Sequence, residues 1–414
     1  MAVAVLGLTL AAGCTSAGPA APTAPTAPTA PTAPTAPTAP PSGATTGPAA
    51  TRTGTAPTST ARTTAPTSVT SDVARILAGM SEAERIGQLF MVGAASSGSD
   101  ATTTTAISRY HVGSVILMGE GLTSIARTAD ATAGLQRRAG SIKLFVATDQ
   151  EGGEVQRLRG DGFSSIPSAL RQGAEPPASL RNDAKRWATE LRAAGVNLDL
   201  APVADTVPSA SFAPANPPIG ALDSEFGFDT RTVAGHARAF AQGLADANVD
   251  ATLKHFPGLG RVTGNTDTTS GVTDRMTTRD DPYLAPFADA ISKGAPFVMM
   301  STAYYSRIDP ARPAAFSPTI VTGMLRGDLH FRGVVISDDV GSAAQVAAFA
   351  PGARAVDFVA AGGDMVLTVD ASLIAQMTAA VLAAARSNAR FHALVDAAAL
   401  RVLTAKQDRG LLSR

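Results

Sequence analysis

The sequence predicts a single (β/α)8 barrel, the TIM-barrel fold in which eight parallel strands alternate with helices. Eight short apolar runs have the length of buried strands, and they cover residues 88–92, 114–118, 143–147, 197–201, 251–255, 296–300, 333–337 and 364–368. Ala-, Arg- and Leu-rich segments with helical periodicity lie between them, as at 180–194, 232–247 and 372–385. Strands and helices that alternate in this way over ~250 residues or more are typical of this barrel.

The competing fold is a doubly wound open sheet, which also alternates strands with helices. No Gly-x-Gly-x-x-Gly sequence follows the first apolar run, and this argues against a dinucleotide-binding sheet. We predict one barrel domain over residues 70–414, because no second low-complexity segment interrupts that part of the chain.

The first 14 residues predict a processing signal. A short apolar run ends in small residues directly before Cys14, and this pattern resembles a bacterial lipoprotein signal whose cysteine is lipidated. The alternatives are a short membrane segment and a disordered apolar tail, but the run is too short to span a ~30 Å hydrocarbon core. The resemblance implies lipidation at Cys14 and a protein of the cell envelope, anchored on the outer face of the cell membrane, or else secreted.

Residues 15–69 predict a disordered linker. They consist almost entirely of Ala, Pro, Thr, Gly and Ser, with a repeated Ala-Pro-Thr unit. Such a composition cannot bury a core. The segment is either a spacer between an anchor and the barrel or a linker with no role beyond disorder.

Composition excludes several kinds of partner and site. Lys plus Arg and Asp plus Glu both number 34, so nothing in the charge balance favours nucleic acid. A single cysteine excludes an internal disulfide and a cysteine-based zinc site, and the histidines have no metal-ligand spacing. We therefore expect no metal and no nucleic acid, and we also expect a monomer.

Polar residues follow several of the predicted strands at the point where each strand ends. Asp149 follows the third strand, Asp205 the fourth, Lys254 and His255 end the fifth, and Asp338 follows the seventh. Active sites of (β/α)8 barrels lie at the carboxyl ends of the strands. These side chains are therefore predicted to meet on one rim.

Two carboxylates on one rim, without metal ligands, suit glycosidic chemistry, in which one attacks the anomeric carbon and a second group handles the leaving-group proton. Asp338 is the candidate nucleophile, and its alternative role is that of a helix N-cap. Asp149 is either a sugar ligand or a residue that caps its own turn. Lys254 and His255 are donors suited to sugar hydroxyls.

Four segments, at 80–93, 149–158, 254–258 and 335–339, resemble motifs of the family 3 glycoside hydrolases, specifically the single-domain bacterial β-N-acetylglucosaminidases of cell-wall turnover. The resemblance implies a retaining mechanism on an oligosaccharide or muropeptide, without a cofactor. Asp338 would be the nucleophile, and the terminal sugar would be held by Asp149, Arg157, Lys254 and His255.

Three positions depart from the family pattern. Asn265-Thr266-Asp267 stands where the family has Asp-Ser-His, whose His is the acid/base, so Asp267 is the candidate for that role. An Asp that is neutral at pH 7 needs a pKa raised by about 3, which requires a buried or like-charged site. Ser224 and Glu154 each replace an Arg.

These departures leave three functions open. The chain is an active β-N-acetylhexosaminidase, a catalytically impaired envelope lipoprotein that binds glycan fragments, or a family 3 enzyme of different sugar specificity such as a β-glucosidase.

Overall fold

The computed structural model describes residues 67–98, 100–119 and 122–412. Cys14, the signal segment 1–14 and nearly all of the predicted linker lie outside the described residues. The first helix, Thr67–Gly79, begins slightly before the predicted domain start at residue 70.

Eight parallel strands form the barrel, and every predicted apolar run overlaps one of them. They are β1 Phe90–Ala95, β2 Ser114–Met118, β3 Phe145–Thr148, β4 Leu198–Asp199, β5 Asp250–Phe256, β6 Phe297–Met300, β7 Val334–Ser337 and β8 Val366–Thr368. The strand order is β7-β6-β5-β4-β3-β2-β1-β8. A parallel bridge from Ile336 to Met365 joins β7 to the segment that leads into β8. The sheet thus closes, which confirms the predicted barrel and excludes the open sheet.

Helices surround the strands, and several begin at a side chain that caps their free N–H groups. Asp229 accepts hydrogen bonds from the backbone N–H groups of Arg231 and Thr232 at the start of one helix, and Asp100 caps another. The helices after β1 to β8 are Ala101–Tyr110, Ile125–Arg138, Pro177–Ala193, Thr230–Asp246, Ala285–Ser292, the π-helical Thr319–Asp328, Pro351–Ala361 and Ile374–Ser387. Further helices are Glu82–Gly87, Ala169–Gln172 and Ala389–Asp408.

The loops contain short strands and 3₁₀ turns. The strands among them are Leu122–Ser124, Gln150–Gly152, Val155–Gln156, Arg159–Asp161, Thr273–Asp274, Tyr304–Tyr305 and Asp309–Pro313. Single 3₁₀ turns occur at Ala213–Ala215, Gly220–Leu222, Pro282–Leu284, Ala314–Phe316, Ala344–Val346 and Ala371–Leu373.

The inside of the barrel is filled with side chains. Phe145 and Phe297 meet edge to face with ring centroids 5.3 Å apart, and Met299, Ile336 and Leu367 belong to the same buried cluster. Alternate residues of the same strands face outward, where they form the larger core beneath the helices. Because the interior is packed, a ligand pocket can open only at an end of the barrel.

Helix Ala389–Asp408 covers the end of the barrel where the strands begin. Its Lys406 is fully buried and donates hydrogen bonds to Gln88 Oε1 at 2.6 Å and to the Gly113 carbonyl at 2.8 Å. Helix Thr67–Gly79 packs against the same helix through Val73 and Leu403. The described part of the chain therefore begins at the end of the barrel away from the carboxyl ends of the strands.

Candidate active site

A pocket of about 330 Å³ lies at the carboxyl ends of the strands. Its floor is apolar, because Leu200, Met299 and Leu367 of the barrel interior face it. Its polar lining consists of Asp149, Glu151, Arg157, Ser224, Lys254, His255, Asn265, Thr266, Asp267, Asp338 and Asp339. All six catalytic and sugar-binding candidates of the sequence analysis thus face one cavity.

The side chains of Asp149 and Glu151 are placed by a tight hairpin of strands Gln150–Gly152 and Val155–Gln156. Gly152 has a φ of +111°, and a Cβ there would lie 2.1 Å from the Pro167 carbonyl oxygen. Only glycine fits this conformation and this contact. The hairpin is also tied to the barrel, because the Gln150 N–H donates to buried Asp199 at 3.0 Å.

Lys254 forms an ion triad with the hairpin. Its Nζ lies 2.8 Å from Asp149 Oδ1 and 2.6 Å from Glu151 Oε1, and the lysine side chain is only 4% exposed. Burial lowers the pKa of Lys254, but the charges of Asp149 and Glu151 outweigh it and raise that pKa above its usual value. The lysine is therefore a permanent cation, and Asp149 binds it through its side chain.

Ser224 hydrogen-bonds to the same triad. Its hydroxyl donates to Glu151 Oε2 at 3.0 Å, so the residue that replaces an Arg of the family pattern supplies a neutral donor there. Glu154, the other departure, is exposed on the hairpin turn. Neither Ser224 nor Glu154 contributes a positive charge to the pocket.

His255 is held by a carboxylate beneath it. Asp205 is fully buried and accepts from His255 Nδ1 at 2.8 Å, from the His255 backbone N–H at 3.1 Å and from the Leu259 N–H at 2.8 Å. Burial lowers the pKa of His255, but Asp205, and to a smaller extent Asp338, raise it above the usual value. With Nδ1 bonded to Asp205, Nε2 is the ring nitrogen left for a ligand.

Asp338 and Asp339, adjacent after β7, have different surroundings. Asp339 Oδ1 accepts the N–H groups of Gly341 at 2.8 Å and Val369 at 3.0 Å, so this carboxylate supports the local turn. The Asp338 carboxyl accepts the Asp339 N–H at 2.8 Å through Oδ1. The carboxyl of Asp338 thus retains oxygen lone pairs for chemistry.

Asp267 lies on the loop after β5, which starts at Gly258 with a φ of +136°. The carboxamide of Asn216 donates to the Leu259 and Val262 carbonyls at 2.8 and 2.7 Å and holds the first half of this loop. The Asp267 N–H itself donates to Asn265 Oδ1 at 2.8 Å. The loop that carries the candidate acid/base is therefore ordered by hydrogen bonds.

The two candidate catalytic carboxyls influence each other's titration. Burial raises the pKa of Asp338 to about 6, with His255 lowering it and Asp267 raising it. Burial also raises the pKa of Asp267, while His255 opposes this effect and Asp339 adds to it. The charge of Asp267 thus favours the protonated form of Asp338, whereas acid-assisted attack by the candidate nucleophile requires the proton to lie on Asp267.

Comparisons with known proteins agree with this geometry. Residues 82–405 match the model of the glycosyl hydrolase family 3 N-terminal domain. The chain belongs to this family. A β-hexosaminidase of Xanthomonas oryzae pv. oryzae is 36% identical over 297 residues, which cover 70% of this chain and 86% of that protein.

Solved structures of this family are similar to the chain as well. A β-N-acetylhexosaminidase from Beutenbergia cavernae is 52% identical with a TM-score of 0.78, over 79% of this chain and 99% of that one. A family 3 β-N-acetylglucosaminidase from a Paenibacillus strain is 30% identical with a TM-score of 0.74, over 81% of this chain and 64% of that one. These findings confirm the family inferred from the four motifs.

Sequence reasoning found the family 3 pocket but missed part of its support. Glu151 lies within the motif at 149–158, where the sequence indicates no role for it, and Asp205 is predicted on the rim without a partner. Asp205 follows β4, and β4 neighbours β5, which carries His255. This order of strands is the signal that could have predicted the contact between Asp205 and His255. No group of three or more His, Cys, Asp or Glu residues forms a candidate metal site within the described ranges.

Proposed function

We propose that this protein is a retaining glycoside hydrolase that removes terminal β-N-acetylglucosamine from glycans derived from the cell wall. The observation that carries the proposal is the pairing of Asp338 and Asp267 in one pocket, where each carboxyl has a raised pKa and Asp267 raises that of Asp338. The names of the 36% and 52% identical relatives support the sugar.

In the first step the ionised Asp338 attacks the anomeric carbon. The bond to the leaving oxygen breaks, and Asp267 gives that oxygen its proton, so a glycosyl ester of Asp338 and a free alcohol result. In the second step Asp267, now ionised, takes a proton from water, whose oxygen attacks the anomeric carbon and releases Asp338. Two displacements retain the configuration.

We assign binding of the terminal sugar to Asp149, Arg157, Lys254 and His255. Asp149 and Lys254 hold each other in place, and His255 is held by Asp205, so these polar groups are preorganised before the sugar arrives. The pocket lining contains five carboxylates, including Glu151, but only three basic side chains. This balance favours an uncharged terminal sugar over an anionic one.

We further propose that the protein is an envelope lipoprotein that acts as a monomer on oligosaccharides or muropeptides during peptidoglycan turnover, and that it binds no nucleic acid. The small residues before Cys14 support lipidation at that cysteine. No helix of the described residues is long and apolar enough to cross a membrane.

The test compares hydrolysis of a chromogenic N-acetyl-β-glucosaminide with that of the matching β-glucoside, with Asp338→Ala as the control. We expect turnover of the first substrate, none of the second, and loss of activity in the variant. Turnover that Asp338→Ala leaves unchanged would remove the nucleophile assignment. Preference for the glucoside would indicate the β-glucosidase alternative.

A binding protein with little activity is the second candidate, and the replacement of the acid/base His by Asp267 favours it. No turnover of either substrate between mildly acidic and mildly basic pH, together with binding of N-acetylglucosamine oligosaccharides by calorimetry, would establish this alternative.

A further inference from the structure

Ala344 and Gln345, two adjacent residues on the loop after β7, form hydrogen bonds with the loop after β5 that contains Asp267. The Ala344 N–H donates to the Asp267 carbonyl and the Gln345 N–H to the Thr266 carbonyl, both at 3.0 Å. The Gln345 side chain accepts from the Val272 N–H at 2.9 Å and donates to the Val272 carbonyl at 3.0 Å. Four hydrogen bonds therefore connect this loop to the loop after β7.

The position of Gln345 gives these bonds a consequence for chemistry. The side chain is buried with 4% exposure, and Thr266, whose carbonyl it fixes through its backbone, is buried and lines the pocket. Gln345 belongs to the 3₁₀ turn Ala344–Val346, which follows Asp338 on the same short connection after β7. The connection after β7, which begins at Asp338, thus also holds the loop that contains Asp267.

A side-chain amide that accepts from the N–H and donates to the C=O of one residue makes the same two hydrogen bonds as a neighbouring strand. It does so only when its oxygen faces the N–H and its NH₂ group faces the C=O. Within the described chain, no strand or helix lies between Phe256, the end of β5, and Thr273–Asp274, so the second half of this loop has no strand partner of its own. Gln345 supplies that pairing at Val272, which is itself buried.

We propose that Gln345 is a positioning residue that holds the Asp267 carboxyl at the leaving-group oxygen. The inference rests on the proposed role of Asp267 as the acid/base. Proton transfer to a leaving group depends on a separation within hydrogen-bond reach, and a misplacement of about 1 Å can cost on the order of 100-fold in rate. Loss of the amide therefore impairs protonation more than it impairs attack by Asp338 or binding of the sugar.

The test uses the full-length protein with Gln345→Met, which keeps the volume and removes both side-chain hydrogen bonds. Gln136→Met is the matched control, because Gln136 bonds in the same two-way manner to the backbone of Leu144 at 2.9 Å, near the start of β3 and far from the pocket. Each variant is assayed on a dinitrophenyl N-acetyl-β-glucosaminide, whose leaving group needs no proton, and on chitobiose, whose leaving group does.

We expect Gln345→Met to lower kcat/KM on chitobiose by about tenfold to 100-fold, and to lower kcat/KM on the dinitrophenyl glycoside, which reports only the first displacement, by less than about threefold. Gln136→Met should show no such selectivity. An equal loss on both substrates, or no loss in a folded variant, overturns the inference.

Ala344→Pro provides a second route if Gln345→Met does not fold. Ala344 is the first residue of its 3₁₀ turn, a position that accepts proline, and Ala343 before it has an extended conformation with ψ of 128°. The change removes the N–H that donates to the Asp267 carbonyl. The same selective loss on chitobiose is expected, and equal effects on both substrates count against the inference.

Asp267→Asn separates this inference from the proposed function. If that variant hydrolyses chitobiose as the wild type does, Asp267 is not the acid and the proposed mechanism fails. If Asp267→Asn shows the selective loss and both Gln345→Met and Ala344→Pro do not, the mechanism stands and only the positioning role is wrong.

Discussion

Replacing Asp205 by Asn removes the negative charge beneath His255 and keeps the size of the side chain. Asp205 accepts three N–H groups, and its contact with His255 Nδ1 is 2.8 Å long. Without the Asp205 charge, burial and the charge of Lys254 both lower the pKa of His255, and the smaller effect of Asp338 is left to raise it. A hydrogen bond to a charged group contributes about 1.5 to 3 kcal/mol, so the pKa of His255 should fall by about one or more.

An NMR titration of the imidazole resonances measures this decrease directly. The chain contains five histidines, and a His255→Gln variant assigns the signal. The Asn carbonyl can still accept the Nδ1–H, so the ring should keep its orientation while its affinity for the proton falls. A pKa that Asp205→Asn leaves within about 0.3 of the wild type, or raises, refutes the electrostatic account of this pair.

The same substitution predicts a pH-dependent change in stability. Asp205 raises the folded-state pKa of His255 above 6.5, so the stabilisation from the imidazolium is fully present below 6.5 and is lost as pH rises through the folded-state value. The difference in free energy of unfolding between wild type and Asp205→Asn should therefore be largest at acidic pH. Denaturant unfolding at several pH values measures it, and a difference that grows toward alkaline pH contradicts the assignment.

Two further predictions concern titrating groups. In the proposed mechanism Asp338 must be ionised to attack, and burial raises its pKa to about 6. The kcat/KM of the wild type should therefore fall as pH drops through about 6, and a rate profile that stays level to pH 4 would contradict this. Burial lowers the pKa of Lys406 from 10.5 to about 7, so unfolding takes up a proton between these values. The free energy of unfolding of the wild type relative to Lys406→Met should therefore rise with pH over that window, by roughly 1.4 kcal/mol per pH unit at most, and a flat difference would show that Lys406 stays charged.

The barrel could be predicted because its strands are short, apolar and evenly interrupted. The run at 114–118 coincides with β2, and the other runs overlap their strands with small differences at the ends. Periodicity fixes the existence of an element better than its limits, since capping residues such as Asp229 decide where a helix begins. The closure of the sheet between β7 and β8 followed from the count of strands.

The candidate site was predictable where a residue follows a strand directly. Asp338, Lys254 and His255 share that property, and the topology brings them together. Gln345 could not be found in this way, because it lies on a loop and its partner Val272 lies on another loop that no periodic pattern describes. Contacts between two loops depend on tertiary packing, and the sequence around either residue carries no local signal of them.

In the proposed mechanism Asp267 takes the role of the family's imidazole acid, and the charges of the neighbouring groups then become part of that mechanism. The charge of Asp267 raises the pKa of Asp338, so an ionised Asp267 favours a protonated nucleophile, and attack by Asp338 requires that proton to lie on Asp267 before the first step. When Asp338 becomes a glycosyl ester its charge disappears, which lowers the pKa of Asp267 at the stage where a base is needed. His255 acts in the opposite sense, because its positive charge lowers the pKa of both carboxyls. Asp205, which keeps His255 protonated to higher pH, therefore keeps the pKa of both carboxyls lower over a wider pH range. Asp205→Asn should let Asp267 stay protonated to higher pH and so move the alkaline limit of activity to higher pH.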